Sequence, residues 1–568
     1  SGRTVRTGID GLAGVVPSAM ASISKAVTGA YLSSSGNAFS TRTASQIIQL
    51  HFNPGEDFAP GGPLFGVQFS QLPCSDLSRR FTSVVGPDQF RGPKRAPLGL
   101  SADPGGLPLY IGGTVVGGIG VIADGVYGLD LNVVDFDSDI DEIIALAGAT
   151  GFGAPRNIVA DRITLEGKSL RFADADASAL QTNPATAPAP APGFVAVAGY
   201  SAGAPIAGQT YGASASGVRA IDVAIDGAAY TNVANISGGA PHLLVTGADL
   251  PFFPIIAGAP SGGQNLTVAE VSAILGHALR VANTSRAQIR RPLQSPVQVT
   301  VSIVDQEGVV LGQARTPDAP VFGIDVSLQK ARSSALLSNV NADANLSNPA
   351  VFPTAQATAT ILNGLIPGHA YAVPDYVAQT KAFIQPSALS NGSALSDRAI
   401  GNLARPFYPD GVQTSANGPL SRPFASWSPF STGLQLDLSV TNILEHILFV
   451  SGASVVDTGL GCTPVVSNVS ALNPLANGLQ IFAGAVPIYK NGVLVGAIGV
   501  SGDGIDQDDM VAFLGLHNAS IALASGVSNA PSAIRADQLQ PAGIRLRYAA
   551  CPFAPFLGSR QQNACKGI

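Results

Sequence analysis

Hydrophobic and polar positions along the second half of the chain predict a helix followed by a hairpin. Apolar residues recur at helical spacing over residues 266–284. Thr267 followed three residues later by Glu270 fits a capping box at the start of that helix. On either side of a polar turn, residues 297–304 and 309–314 are continuously apolar or alternate between apolar and polar. This pattern predicts two strands joined by a tight connection.

Two stretches far apart in the chain align without a gap and predict the same structure. Leu107–Gly125 and Val486–Gly504 share Pro, Tyr, Gly, Val, Ile and Asp at corresponding positions. Each predicts a hairpin, with its turn at Gly112-Gly113 in one and Asn491-Gly492 in the other. Asn-Gly is a strong hairpin signal because a type I′ turn needs positive φ at both central residues.

Further matches flank these hairpins in the same order along the chain. Each hairpin is followed by an acidic segment that predicts a helix, over 140–148 and 507–515. The other matched pairs are 22–26 with 327–331, 37–55 with 391–411, and 154–172 with 530–548. The chain is therefore expected to carry two diverged copies of one domain.

The boundaries of the copies follow from these matches. The first copy spans 1–189 and the second 266–568, joined by an irregular or β segment at 190–265. The second copy carries insertions near 339–385 and 412–480 and a cysteine-containing tail. The first copy begins at a position that aligns with Arg315 of the second, so it is expected to lack the front helix and first strand. Strand-like stretches at 194–198 and 220–225 are a possible replacement.

The second copy resembles the GlcG/HbpS family of haem-binding and haem-degrading-like proteins. The residues that carry the resemblance are Leu266-Thr267, Val301–Gly308, Asp325 with Lys330-Ala331, Val486–Ile488, Gly496–Gly502 and Asp508-Asp509. The resemblance implies an α+β fold, and with the internal repeat it predicts two pseudo-repeated domains. Each would be a mostly antiparallel sheet of about five strands flanked by helices, with long loop insertions. It also implies a tendency to form homo-oligomers and, as in some members, non-covalent haem binding.

Composition favours an exported or self-associating protein. Charged residues make up only 12% of the chain, against about a quarter in a typical soluble domain, and hydrophobic residues make up 46%. The net charge is −6 and no run of Lys or Arg occurs, which argues against a nucleic-acid partner. No stretch of about 18 apolar residues predicts a transmembrane helix.

Four cysteines permit two disulfides in an oxidising compartment. We favour Cys551 with Cys565, because they would close a short loop, and this leaves Cys74 with Cys462. Four free buried thiols are the alternative. None lies in a CxxCH motif, which excludes the usual covalent attachment of haem.

The histidines are the candidate haem ligands, and His446 and His51 are the first choices. His446 lies in the apolar stretch 443–448, and His51 ends a predicted helix. Either histidine could instead be a satisfied core residue. The others are His242, His277, His369 and His517.

Two acidic runs are candidate calcium sites, with helix capping as the alternative. Their residues are Asp135, Asp137 and Asp139 in one, and Asp503, Asp506 and Asp508 in the other.

These observations predict a periplasmic or extracellular protein that binds a flat apolar ligand, with haem the first choice and a redox role possible. Residues 199–203 match the letters GxSxG, but no helix is predicted after them, so we do not expect a hydrolase site or other enzyme chemistry. The alternatives are a self-assembling structural protein without a cofactor and a cofactor-dependent enzyme of unassigned chemistry.

Overall fold

The computed structural model describes residues 4–7, 15–52, 56, 58–79, 92–188, 193–236, 238–348, 371–424 and 433–568. It mixes helices with mainly antiparallel sheets, as the α+β prediction requires. His369 and parts of the two predicted insertions lie outside the described residues.

The described helices and strands are numbered in chain order. The helices are α1 (Ser18–Tyr31), α2 (Thr41–Ile47), α3 (Ile140–Gly148), α4 (Val223–Asp226), α5 (Thr231–Ala234), α6 (Val268–Thr284), α7 (Gly323–Ser338), α8 (Ala342–Leu346), α9 (Val373–Phe383), α10 (Asp397–Leu403), α11 (Leu434–Val450) and α12 (Ile505–Leu523). The strands are β1 (Thr4–Thr7), β2 (Val15–Pro17), β3 (Gly106–Ile111), β4 (Thr114–Gly120), β5 (Val126–Tyr127), β6 (Thr164–Leu165), β7 (Lys168–Ser169), β8 (Ala196–Val197), β9 (Ser201–Ala202), β10 (Val218–Ala220), β11 (His242–Leu244), β12 (Val299–Asp305), β13 (Val310–Arg315), β14 (Ala485–Lys490), β15 (Val493–Gly502) and β16 (Val527–Asn529).

A seven-stranded antiparallel sheet organises the second half of the molecule. Its order is β10-β11-β13-β12-β15-β14-β16. Five of these strands come from residues 266–568, in agreement with the expected five-stranded sheet. The other two, β10 and β11, come from the connecting segment.

Helices cover both faces of this sheet, because alternate residues of each strand point to opposite sides. Helix α7 lies on one face, where Ser327 and Ser302 of β12 join their hydroxyls at 2.7 Å. A Cβ at Gly499 of β15 would lie 2.1 Å from the Ser327 carbonyl oxygen, so only glycine permits this close approach. Helices α6 and α12 pack together on the other face.

The first region repeats part of this arrangement with fewer strands. Helix α1 packs across β3 and β4, and a Cβ at Gly120 would lie 2.0 Å from the Ser22 carbonyl oxygen. Among the described residues of 1–189, however, there are one three-stranded sheet (β2-β1-β5) and two sheets of two strands each (β3-β4 and β6-β7). The five-stranded sheet expected for this region is therefore not formed by the described residues.

Strands β10 and β11 of the connecting segment belong to the second sheet rather than to the first region. Strand β11 pairs with β13 at His242 and Arg315, so these two strands do not replace a missing front of the first region. The stretch at 194–198 contains β8, which pairs with β9 in a separate two-stranded sheet. The strand predicted over 220–225 is wrong. Asp222 accepts a hydrogen bond from the backbone N–H of Ala224 and caps helix α4 there.

Several local predictions are confirmed. Helix α6 begins after Thr267, whose side chain forms the expected capping box with Glu270. Helix α3 spans Ile140–Gly148 as predicted, whereas α12 is longer than predicted. Both favoured disulfides form, Cys74–Cys462 and Cys551–Cys565. Within the described ranges, no helix combines the length and apolarity needed to cross a membrane.

Candidate functional site

A buried lysine on α1 and another on α7 occupy corresponding places in the two regions. Lys330 Nζ lies 2.9 Å from Asp508 Oδ2, and Lys25 Nζ lies 2.6 Å from Asp141 Oδ2. Both lysine side chains are fully buried. Each also donates to a carbonyl oxygen at the end of the neighbouring hairpin, that of Val500 or Val121.

An arginine at the start of α2 and another at the start of α10 extend this correspondence. Arg42 binds Glu142, the residue after Asp141, at 3.0 Å. Arg398 binds Asp509, the residue after Asp508. The helices that carry these arginines begin at the N-caps Ser40 and Ser396. Each pair joins one of these helices to the acidic start of α3 or α12.

Burial controls the protonation of the carboxyl groups beside Lys330. It raises the pKa of Asp508 to about 7, although the lysine opposes that shift. Burial also raises the pKa of Asp397 well above its usual value. Neither carboxyl oxygen of Asp397 has a hydrogen-bond partner among the described residues.

A cavity of about 440 Å³ lies between the first region and the part of the second region that contains Arg398. This volume falls within the range of about 300–1,000 Å³ that is typical of small-molecule sites. Its apolar walls come from both regions, and their residues include Leu32, Phe39, Ile47, Phe52, Leu64, Leu165, Leu170, Ile289, Phe322, Ile481, Phe482 and Ile544.

Two arginines of the C-terminal segment line this cavity and reach solvent. Arg545 and Arg547 flank the buried Leu546, so they alternate along an extended segment. Neither has an ion-pair partner in the described part of the chain. Arg405, which also lines the cavity, is buried against Phe65, with 4.6 Å between its guanidinium carbon and the ring centroid, and faces Asp410. The cavity therefore offers two uncommitted positive charges at its open side.

Tyr408 is the lining residue whose side chain is of a kind that ligates haem iron. Its hydroxyl donates to the carbonyl oxygen of Ile544 at 3.0 Å. Burial raises the pKa of Tyr408 to about 12. A phenolate at this position would need a cation to stabilise it.

His446 lies on α11, away from the cavity lining, and both of its ring nitrogens have partners. Nδ1 is 2.6 Å from Asp457 Oδ1, and Nε2 is 2.9 Å from the Tyr200 hydroxyl. Arg95 lies 2.8 Å from the other oxygen of Asp457. Burial lowers the pKa of His446, which favours the neutral imidazole.

His51 lies closer to the cavity, since its neighbour Phe52 forms part of the wall. Its Nδ1 donates to the Ala59 carbonyl oxygen at 2.6 Å, and its Nε2 is 3.0 Å from Gln413 Nε2. The ring stacks on Phe407. To ligate a metal, either His51 or His446 would have to give up one of these contacts.

The acidic residues considered for calcium have other partners. Asp137 binds Arg42 at 2.8 Å, and Asp139 caps α3 by accepting from two backbone N–H groups. Asp135 accepts from Asn132 at 2.6 Å. The oxygens of Asp135 and Asp137 lie close to that of Asp130, but Arg42 already supplies positive charge to Asp130 and Asp137.

The second acidic run is likewise neutralised by basic side chains. Asp503 binds Arg290, Asp506 binds Arg398, and Asp508 binds Lys330. These carboxylates hold the loop after β15 and the start of α12 to the rest of the fold.

Three residues of the cavity were not singled out from the sequence: Tyr408, Arg545 and Arg547. The Arg-Leu-Arg alternation of 545–547 was a usable signal, because residues two apart in an extended segment share a side. Nothing local to Tyr408 indicated that it would face a cavity.

A comparison with family models matches residues 453–517 to the family described as haem degrading protein HbpS-like. The match covers β14, β15 and the first part of α12, which include the acidic start that binds Lys330 and Arg398. Among solved structures, a PduOC:heme complex has 16% sequence identity, with 46% of this chain and 96% of that chain covered and a TM-score of 0.17. No curated protein matches the chain.

Proposed function

We propose that this protein binds haem non-covalently in the cavity between its two regions. The observation that carries the proposal is an apolar cavity with two uncommitted arginines at its open side. Haem has the complementary shape and charge: a flat apolar ring with two propionates along one edge. The family match over 453–517 supports the same class of ligand.

The residues that would hold the group follow from the lining. The apolar walls would pack on the ring, and Arg545 and Arg547 would each pair with a propionate. Charge-assisted bonds of this kind contribute roughly 1.5–3 kcal/mol each. Tyr408 would supply an oxygen ligand, with His51, next to the wall residue Phe52, as the histidine alternative. His446 lies outside the lining and would ligate a haem bound elsewhere. Bound haem would give the protein a redox centre, and a role in electron transfer is part of the proposal.

The test is a visible-absorption titration with haemin and with its dimethyl ester, which lacks the propionate charges. We expect a Soret band with haemin and binding at least ten-fold weaker with the ester. The variant Arg545→Gln/Arg547→Gln should bind both forms equally. A control, Arg156→Gln/Arg560→Gln, removes the same charge from exposed residues outside the cavity. A protein without a Soret band, or one that does not distinguish the two ligands, would refute the site.

The iron ligand is tested separately on the haemin complex. Tyr408→Phe removes only the phenolic oxygen, and we expect it to shift the visible spectrum of the ferric complex. His51→Ala and His446→Ala should leave that spectrum unchanged if the tyrosine is the ligand.

We also propose that the chain contains two copies of one domain and is exported. The first proposal is supported by the paired contacts of Lys25 and Lys330 and of Arg42 and Arg398. Export to the periplasm or beyond is supported by the two disulfides, which persist in oxidising compartments. Protein purified from its source should therefore contain no free thiol, as measured by alkylation before and after reduction.

A further inference from the structure

The cavity carries a carboxylate whose charge is not neutralised. Glu166 lines the cavity from the first region, and its side chain is exposed. In the part of the chain that the structure describes, no basic side chain forms an ion pair with Glu166, and its carboxylate accepts no hydrogen bond. The buried carboxylates of the lining, by contrast, bind basic side chains: Asp503 binds Arg290, and Asp508 binds Lys330. Glu166 is therefore free to act on a ligand in the cavity.

Glu166 occupies an unusual position in the turn between β6 and β7. Leu165 pairs with Lys168 across this turn, and Glu166 and Gly167 have positive φ, of 49° and 85°. Two-residue turns of this kind favour Asn, Asp or Gly at both central positions, because positive φ strains other residues. A glutamate is uncommon in that conformation. The turn itself therefore does not account for the glutamate, whereas its place beside the cavity does.

A second carboxylate extends the negative charge beside Glu166. Asp506 also lines the cavity, and its side chain is 48% exposed. It shares Arg398 with Asp509, so one guanidinium faces two carboxylates and one negative charge is left over. Burial and the charge of Asp506 raise the pKa of Glu166 above its usual value, so the two carboxylates lie close enough to repel each other. Glu166 and Asp506 together form the acidic edge of the cavity.

Helix α10 separates this acidic edge from the two uncommitted arginines. Arg398, which binds Asp506, lies at the start of the helix. Asn402, four residues later, accepts a hydrogen bond from the backbone N–H of Arg547 at 3.3 Å. Four residues of α-helix correspond to a rise of about 6 Å, so the two sets of charges lie at different places along the cavity. The cavity therefore presents negative charge at one edge and positive charge at another.

We propose that Glu166 and Asp506 make the cavity selective for porphyrins whose carboxylates lie along one edge of the ring. Such a porphyrin, haem among them, can place both carboxylates beside Arg545 and Arg547 and turn an uncharged edge towards Glu166. A porphyrin with a carboxylate on every pyrrole, such as coproporphyrin, places a carboxylate at the acidic edge in every orientation. Like charges brought together in this way oppose binding and set specificity. The inference rests on the haem-binding function proposed above.

Visible-absorption titrations of the full chain with haemin and with iron(III) coproporphyrin III, both at pH 8, test the proposal. We expect the unaltered protein to bind haemin about ten-fold more tightly. Glu166→Gln should raise the affinity for the coproporphyrin about five-fold and leave that for haemin nearly unchanged. Glu166→Lys should raise the coproporphyrin affinity further, a gain that misfolding cannot produce. The control Asp124→Asn removes the same charge from an exposed residue outside the lining and should change neither affinity.

The outcomes separate this proposal from the haem site itself. Each ligand is compared between variants, so differences in solubility between the two porphyrins do not enter the result. If the unaltered protein bound both porphyrins equally, or if Glu166→Gln raised both affinities alike, the selectivity would be overturned while the haem site remained. If the unaltered protein bound neither porphyrin, the haem site would fail, and the selectivity with it.

Discussion

Lys25 and Lys330 show how a nearly neutral protein tolerates full burial of an ammonium group. Removing such a charge from water costs several kcal/mol unless a carboxylate and further hydrogen bonds replace the solvent. Lys25 lies 2.6 Å from carboxylate oxygens of both Asp103 and Asp141, and Lys330 lies 2.9 Å from that of Asp508. Each lysine also donates to a carbonyl oxygen at the end of the adjacent hairpin. We infer that these pairs fix the position of the hairpin relative to its helix and to the acidic helix start.

Asp397 lacks such compensation and provides a prediction at the residue scale. Its raised pKa means that the folded protein holds a proton that the unfolded chain releases as pH rises above about 4. Stability is therefore lost as pH rises, by up to about 1.4 kcal/mol for each unit over which the folded carboxyl stays protonated. Asp397→Asn removes this pH-dependent loss of stability. We expect the variant to become increasingly more stable than the unaltered protein as pH rises from 5 to 8.

Urea unfolding at several pH values measures this difference. Asp124→Asn is the control, because Asp124 is exposed and should give the same small effect at every pH. A pH-independent difference for Asp397→Asn would contradict the assignment of a protonated carboxyl.

At the scale of single elements, the hairpin turns are formed as their residues require. Gly112 and Gly113 have φ of 57° and 82°, and Asn491 and Gly492 have φ of 50° and 80°. Positive φ at both central positions is the requirement that Gly-Gly and Asn-Gly meet with little strain. The local sequence was therefore sufficient to place both turns.

Helix α6 provides the prediction at this scale. The Thr267 side chain accepts from the backbone N–H of Glu270, and the Glu270 carboxylate accepts from the backbone N–H of Thr267. Thr267→Ala removes the first bond and should lower the free energy of unfolding by about 1 kcal/mol. The measurement is the urea concentration at the unfolding midpoint, with the dependence of the unfolding free energy on urea unchanged. Thr150→Ala, at an exposed position after α3, should change it by less than half as much.

The two disulfides constrain the whole molecule to different extents. Cys74–Cys462 closes a separation of 388 residues, and Cys551–Cys565 closes one of 14. In the chain-entropy model, the longer loop stabilises the fold by roughly 3 kcal/mol more. Replacing Cys74 and Cys462 by serine should therefore lower the free energy of unfolding more than replacing Cys551 and Cys565. If denaturant unfolding gave equal losses of unfolding free energy for the two variants, the chain-entropy explanation would be contradicted.

Parts of the candidate site were predictable from the sequence and parts were not. The capped helix, the hairpins and the acidic helix starts follow from spacing and residue type over a few residues. The Cys551–Cys565 disulfide follows from the short loop that it closes, and Cys74–Cys462 follows by elimination. The cavity does not, because its wall brings Phe52, Tyr408 and Arg545 together from distant parts of the chain. His446 was singled out for its apolar neighbours, but the partners of its ring, Asp457 and Tyr200, lie on other segments.

The sequence by itself determined the local elements, because backbone propensity, capping and turn chemistry act over a few residues. Only the tertiary structure decided which sheet strands β10 and β11 of the 190–265 segment join. It also decided which arginines keep their charge free for a ligand, when others such as Arg42 and Arg398 are neutralised. Those outcomes depend on contacts between residues that are hundreds of positions apart, and no local pattern records them.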